Sequence, residues 1–124
     1  MIPRVLEPEV MDSAEEARDY DSMDHSEVNQ RFASDFLRNW DTERPILDVG
    51  TGTAQIPIEI CRQCSGLDPL LWDSLEITAI DLADHMLARA RHNVERAGFA
   101  GRITIEKADA KHLSYPDGHF GAVI

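Results

Sequence analysis

The stretch Ile46-Leu47-Asp48-Val49-Gly50-Thr51-Gly52-Thr53-Ala54 decides the fold of this chain. It begins as a short apolar run, which is typical of a buried strand, and passes directly into a turn with two glycines. Glycine permits left-handed backbone conformations and a close approach of a ligand to the main chain. Pro57 then falls in the first turn of a predicted helix over residues 54–65, where a missing N–H is harmless. The stretch therefore predicts a strand, a tight turn and a helix in direct succession.

The alternation of strands and helices continues along the rest of the chain. Residues 75–81, 102–107 and 120–124 are predicted strands, and apolar residues at helical spacing predict a helix over residues 83–97. Gly98 follows at the position that suits a helix C-cap. Strands that alternate with helices form parallel sheets with right-handed crossovers and helices packed on the sheet. The predicted fold class is therefore α/β, with an incomplete sheet of about four strands whose third strand lies at an edge.

The N-terminal part of the chain shows helical patterns and no predicted strand. Asp12 and Ser13 can cap a short helix that runs to Arg18, and the helical pattern breaks over residues 20–24. A second helix is predicted over residues 26–40, because its apolar side chains recur at spacings of three and four. This part is expected to form an acidic arm with helices ahead of the sheet.

The negative charge of the chain is concentrated in its first third. Residues 1–43 hold 4 Lys+Arg and 12 Asp+Glu, whereas residues 44–124 hold 8 and 11, which together give the formal net charge of −11. A nucleic-acid-binding protein usually presents a basic face, and none can be drawn here. No apolar run approaches the roughly 18–20 residues of a membrane helix, and the N-terminus lacks the apolar region of a signal peptide. We therefore expect a cytoplasmic protein that binds neither nucleic acid nor membrane.

Three acidic residues fall near predicted strand ends, where open α/β sheets bind their ligands. They are Asp48 in the first strand, Asp81 at the end of the second and Asp109 just past the third. A dinucleotide fingerprint needs glycine or alanine at the position of Gln55, so that fingerprint fails. S-adenosylmethionine has no phosphate and needs acceptors for its ribose, ammonium and adenine amine, which carboxylates supply. The set favours this cofactor, although Asp81 also suits a helix N-cap and Asp109 a turn cap.

Three motifs resemble, in order and spacing, those of class I S-adenosylmethionine-dependent methyltransferases, which have a Rossmann-like fold. Residues 46–54 are similar to the family's LDxGxGxG turn. Residues 77–87 place a strand-end acid before a helix of the xxMLxxAR type, and residues 108–124 are similar to D(A)xxLPFxDxxFDxV. The resemblance covers residues 46–124 and implies the N-terminal, cofactor-binding half of such an enzyme, cut after its fourth strand.

The resemblance assigns roles to individual positions. It implies that Asp48 and the glycine turn hold the methionine part of the cofactor and that Asp81 binds the ribose hydroxyls. The adenine would lie against Leu82 and Met86, with its amine edge at Asp109. The implied cofactor-binding residues are Asp48, Gly50, Thr51, Gly52, Asp81, Leu82, Met86, Asp109 and the backbone of Ala110. The family often has a third glycine where this chain has Ala54, which is the smallest possible change. No catalytic residue and no metal ligand is predicted.

The chain is predicted to divide into two parts. Residues 1–43 form the acidic arm and helices, and residues 44–124 form the truncated S-adenosylmethionine-binding domain. By a looser analogy, Tyr20 and the helix over residues 26–40 occupy the place of a lid in related enzymes. The fourth strand would be a bare sheet edge through which chains can associate.

The predicted function is S-adenosylmethionine-dependent methyl transfer to an unidentified small-molecule acceptor. One alternative is a non-catalytic module that binds S-adenosylmethionine, or a truncated protein that a partner chain completes. A nucleotide-cofactor oxidoreductase is disfavoured by Gln55. Cys61 and Cys64 form a CxxC pair inside the predicted helix and are expected in the core. His85 and His92 are expected on the surface.

Overall fold

A computed structural model describes residues 13–22, 25–40, 45–67, 69–113, 115 and 119–124. Two helices precede the sheet, and helices then connect the first three strands. The elements are α1 (Ala14–Ser22), α2 (Ser26–Asn39), β1 (Ile46–Val49), α3 (Gln55–Cys64), α4 (Pro69–Ser74), β2 (Ile77–Asp81), α5 (Asp84–Ala97), β3 (Ile103–Lys107) and β4 (Ala122–Val123). The first part of the predicted acidic arm, residues 1–12, which includes the predicted cap at Asp12, lies outside the described residues.

The four strands form one parallel sheet in the order β3-β2-β1-β4. Ile77 of β2 pairs with Ile46 of β1 on one side and with Ile103 of β3 on the other, so the central strands run level. This register confirms the predicted α/β fold with a parallel sheet of about four strands. The predicted edge position of β3 is confirmed as well, and its buried Ile103 is followed by the exposed Thr104.

The core lies between the sheet and the apolar faces of α2, α3 and α5. Cys61 and Cys64 are free thiols that are fully buried in this core, which confirms the prediction for both. Burial raises the pKa of the Cys61 thiol to about 12, so this side chain is an unreactive core residue. The buried members of the core are Ala33, Trp40, Ile46, Ala54, Ile58, Ile60, Cys61, Cys64, Leu75, Ile77, Ala79, Ala90, Val94 and Ile103.

The first helix differs from its predicted extent. Ser13 Oγ accepts a hydrogen bond from the Glu16 N–H and donates one to the Glu16 carboxylate, at 3.0 and 3.1 Å, so Ser13 caps the helix as predicted. The prediction that the helix breaks after Arg18 is wrong, because α1 continues to Ser22. Its last turn is held by hydrogen bonds that the Asp21 carboxylate accepts from distant side chains, and local sequence patterns do not report such contacts.

A short helix, α4, was not predicted. It begins at Pro69, which suits the first position of a helix. The Trp72 ring meets Phe99 edge to face with centroids 5.8 Å apart, and the Arg102 guanidinium lies 4.8 Å from the Trp72 ring centroid. Tertiary packing therefore holds a six-residue helix that is too short to be stable alone.

We expect Ile77→Ala to lower the free energy of unfolding by about 2–5 kcal/mol, because it opens a cavity at the centre of the sheet. Ile77 is fully buried, whereas Val28 on α2 is 69 % exposed. Val28→Ala is the matched control and should change stability by at most about 0.5 kcal/mol. Urea denaturation followed by circular dichroism measures both variants, and equal effects would contradict the assigned core.

Candidate functional site

The turn between β1 and α3 has three residues in the left-handed conformation. The φ angles are +68° at Gly50, +59° at Gly52 and +67° at Ala54. The Thr51 N–H donates to the Ile80 carbonyl of β2 at 2.9 Å, which fixes the turn against the neighbouring strand. A Cβ at Gly50 would meet no atom within 4 Å, so this backbone borders open space. A ligand can therefore approach the main chain here.

Ala54 keeps the left-handed conformation in which a third glycine would be unstrained. An L-residue with a Cβ in this conformation costs about 1–2 kcal/mol. Ala54 is fully buried and is the N-cap residue of α3. The turn therefore keeps the backbone shape of a three-glycine turn although its third position is alanine, and the backbone at Ala54 is strained as a result.

Asp48 places a carboxylate directly beneath the turn. Its side chain is 5 % exposed, and Oδ2 accepts a hydrogen bond from the Thr51 hydroxyl at 2.6 Å. Burial raises the pKa of Asp48 to about 6, the Thr51 hydrogen bond opposes this shift, and the negative charge of Asp81 adds to it. The site thus contains a desolvated acid whose ionised form a cation would stabilise.

Asp81 joins the turn to the start of α5. Its Oδ2 accepts the Gly52 N–H at 2.8 Å, and its Oδ1 accepts the Ala83 N–H at 3.0 Å. Ala83, rather than Asp81, is the N-cap residue of α5. The carboxylate therefore bridges two loops that follow adjacent strands.

Asp109 lies next to this bridge. The Ala108 N–H donates to the Asp81 carbonyl at 3.2 Å, which brings the segment after β3 to the end of β2. Asp109 is half-buried, and its Oδ1 accepts the Lys111 N–H at 2.9 Å, as in a turn cap. Ala110 is exposed. The turn-capping role is therefore present, and the remaining acceptor capacity of the carboxylate is open to a ligand.

The two apolar candidates differ in accessibility. Leu82 is 42 % exposed, whereas Met86 is only 4 % exposed and is packed against Ala83 and against Ala17 of α1. The structure thus brings the glycine turn, Asp81 and Asp109 to one end of the sheet. It covers Met86 with the first helix.

A separate cavity of about 460 Å³ lies on the helical side of the molecule. Residues of α1, α2, α3 and α5 line it, and the nine predicted cofactor-binding residues are not among them. Its lining residues are Asp21, His25, Ser26, Asn29, Gln55, Ile58, Glu59, Arg62, Asn93, Arg96 and Ala97. Across the described part of the chain, no three His, Cys, Asp or Glu residues are grouped as metal ligands, and no helix could span a membrane.

Sequence reasoning missed the polar side chains that support the turn from this helical side. Asn93 Nδ2 donates to the Thr53 carbonyl at 3.1 Å, and the Gln55 side chain bonds to Asp21 and Asn29. The only signal in the sequence was Gln55, which stands where a dinucleotide fingerprint has a small residue.

Comparison with known proteins identifies the class. Residues 46–124 match the family model described as a methyltransferase domain, and the chain belongs to the class I S-adenosylmethionine-dependent methyltransferase family.

Individual proteins show the extent of the similarity. The ubiquinone/menaquinone biosynthesis C-methyltransferase UbiE of Geobacter sulfurreducens is 34 % identical over 84 residues, which are 68 % of this chain and 30 % of the relative. An S-adenosyl-L-methionine-dependent Diels-Alderase of Neonectria sp. is 38 % identical over 69 residues, which are 55 % of this chain and 24 % of that protein. A crystal structure of a Methanococcus maripaludis protein assigned as an S-adenosyl-L-methionine-dependent methyltransferase superposes with a TM-score of 0.77 at 19 % identity, over 98 % of this chain and 52 % of that chain. The chain therefore spans between about a quarter and a third of the length of these curated relatives.

We expect Asp48→Asn to stabilise the ligand-free protein in a pH-dependent way. Because the folded-state pKa of about 6 lies above the usual 3.8, the folded protein holds an extra proton between about pH 4 and 6. The contribution of Asp48 to stability therefore falls as pH rises through this window, by about 3 kcal/mol in total. The difference between Asp48→Asn and wild type should grow by most of that amount from pH 4 to pH 7.

Urea denaturation at several pH values measures this difference. Asp35→Asn is the control, because Asp35 is an exposed acid on α2 that pairs with Arg38. A pH-independent difference for Asp48→Asn would contradict the raised pKa.

Proposed function

We propose that this chain binds S-adenosylmethionine at the carboxyl ends of β1, β2 and β3 and provides the cofactor site of a methyltransferase. The observation that carries the proposal is the buried Asp48 carboxylate beside the open backbone of Gly50. Its side-chain hydrogen-bond partner is the Thr51 hydroxyl. A buried carboxylate with a raised pKa gains most from a ligand that brings a positive charge.

The chemistry of the site fits the cofactor. The ammonium of its methionine part would pair with the buried Asp48 carboxylate, and the open backbone at Gly50 leaves room for this part of the cofactor. A carboxylate offers about four lone-pair positions, and Asp81 uses one on each oxygen for Gly52 and Ala83, which leaves acceptors for two ribose hydroxyls. When bound, the cofactor supplies an electrophilic methyl group, and the protein's part is to orient it.

The adenine contacts are supported unequally. Leu82 offers an exposed apolar side chain, and Asp109 with the Ala110 backbone lies beside the end of β2. Met86 is covered by Ala17 of α1 in the ligand-free protein. We propose that Leu82 and Asp109 make the direct contacts with the adenine. Met86 would contact it only along the edge that Ala17 of α1 leaves uncovered.

Methyl transfer to a small molecule is the function we favour. The net charge of −11 disfavours a nucleic-acid acceptor, because phosphates repel an acidic surface. The oxidoreductase alternative is disfavoured, since the Gln55 side chain bonds to Asp21 and Asn29 at the start of α3, where a dinucleotide needs a small residue. The name of the Diels-Alderase relative indicates that a protein of similar sequence can serve a reaction other than methyl transfer.

The remaining assignments stay predictions. The division at residue 43 separates α1 and α2 from the cofactor domain, although Ala33 and Trp40 share a core with Ile46. A cytoplasmic location and self-association through β4 likewise stay predictions. β4 pairs with β1 on one side, and its Val123 is 65 % exposed.

Isothermal titration calorimetry tests the proposal directly. We expect S-adenosylmethionine and S-adenosylhomocysteine to bind and NAD not to bind. S-adenosylhomocysteine lacks the sulfonium charge but keeps the ammonium, so both ligands should engage Asp48. If neither adenosyl ligand binds to the folded protein, the proposal is wrong.

We expect Asp81→Asn to weaken binding of S-adenosylhomocysteine by about 1–3 kcal/mol, because a charged acceptor for the ribose is lost. Asp84→Asn is the matched control, since Asp84 lies three residues along the chain, is 62 % exposed and pairs with Lys107. Calorimetry on both variants, with folding checked by circular dichroism, gives the comparison. Wild-type affinity in a folded Asp81→Asn protein would refute the ribose role.

A further inference from the structure

Asp21, in the last turn of α1, is the centre of a hydrogen-bond network. It accepts from Arg89 Nε at 2.7 Å, from Gln55 Nε2 at 3.1 Å and from Asn93 Nδ2 at 3.1 Å to each oxygen. The Asp21 side chain is 13 % exposed. Burial raises the pKa of Asp21, but the donors outweigh this effect and hold it below its usual value. The carboxylate is therefore a well-satisfied anion that ties α1 to α3 and α5.

The network reaches the glycine turn by two routes. Asn93 Nδ2 also donates to the carbonyl of Thr53 at 3.1 Å, immediately before the strained Ala54. Gln55 follows Ala54 directly, and its Oε1 accepts from Asn29 of α2 at 3.2 Å. The residues on both sides of Ala54 are thus held by side chains that converge on Asp21.

This arrangement matters because Ala54 occupies a conformation that an L-residue disfavours. Such residues persist only where the surrounding structure holds them. The Ala54 N–H donates a hydrogen bond to the Thr51 carbonyl at 3.0 Å, and the Thr51 hydroxyl donates one to the Asp48 carboxylate. Relaxation at Ala54 would therefore displace the backbone that borders the cofactor site.

The same face of α1 also contacts the other end of the site. Ala17 lies one helical turn before Asp21 and covers Met86 and Ala83. Ala83 donates its N–H to Asp81. One helix therefore contacts the loop after β2 directly and reaches the glycine turn through Gln55 and Asn93.

We propose that Asp21 is a positioning residue that couples the docking of α1 to the geometry of the glycine turn and thereby sets the affinity for the adenosyl ligand. The affinity part of this inference rests on the proposed function, whereas the effect on the turn does not. A mere anchor for α1 would change global stability and leave the turn as it is.

The experiment compares four forms of this 124-residue chain: wild type, Asp21→Ala, Asp35→Ala and Cys64→Ala. Asp35→Ala removes an exposed acid of α2, and Cys64→Ala weakens the core away from the network. Calorimetry gives the dissociation constant for S-adenosylhomocysteine, and NMR hydrogen exchange gives the protection of the Gly52 and Ala54 amides without ligand. We expect Asp21→Ala to raise the dissociation constant about tenfold and to speed exchange at both amides. Both controls should keep wild-type values for the turn amides and the dissociation constant.

Each other outcome has a defined meaning. If Asp21→Ala behaves like wild type, or if Cys64→Ala shows the same changes in the turn, the inference is wrong. If Asp21→Ala does not fold, Asp21→Asn replaces it, since it keeps the shape and one acceptor, and it should show a smaller change in the same direction. If wild type binds no adenosyl ligand, the proposed function fails. The hydrogen-exchange comparison between Asp21→Ala and wild type then decides by itself whether the turn depends on Asp21.

Discussion

The hydrogen bond from the Gly52 N–H to the Asp81 carboxylate is the interaction on which the site depends. It can form only because β1 and β2 are parallel and level, so that the turn after one strand meets the last residue of the other. It also requires left-handed backbone at Gly50 and Gly52. The sheet, the glycine turn and the acidic strand end therefore depend on one another, because this hydrogen bond needs all three.

The same constraint explains the electrostatics of the site. Closing the turn buries Asp48 and places Asp81 near enough to disfavour a second negative charge, so the pKa of Asp48 rises. A buried anion without a cation is costly, and a cationic ligand relieves that cost on binding. The net charge of the chain matters less here, because charges on the surface are screened over about 10 Å at ordinary ionic strength.

Much of this was accessible from the sequence, because the decisive signals are local. The apolar run before Gly50, the helical spacing from Ala83 to Ala97 and the alternation in β3 each lie within one element, and they predicted the parallel sheet, the turn and the edge strand. The end of α1, the helix α4 and the support of the turn were not predicted. Asp21 contacts residues 34 to 72 positions away, and a local pattern carries no information on such partners.

Ala54 and Gln55 connect the local sequence pattern with the long-range contacts. By sequence alone, one departs from a three-glycine turn and the other breaks a dinucleotide fingerprint. In the structure the two residues act together. Ala54 adopts a strained conformation, and the next residue, Gln55, forms hydrogen bonds with Asp21 of α1 and Asn29 of α2 that hold the backbone at Ala54 in place. Among its described residues, the acidic N-terminal segment therefore contributes to the site through the inward-facing Asp21 carboxylate as well as through Ala17. A segment that the sequence predicts as an acidic arm with helices thus supports, at Asp21, the geometry of the glycine turn.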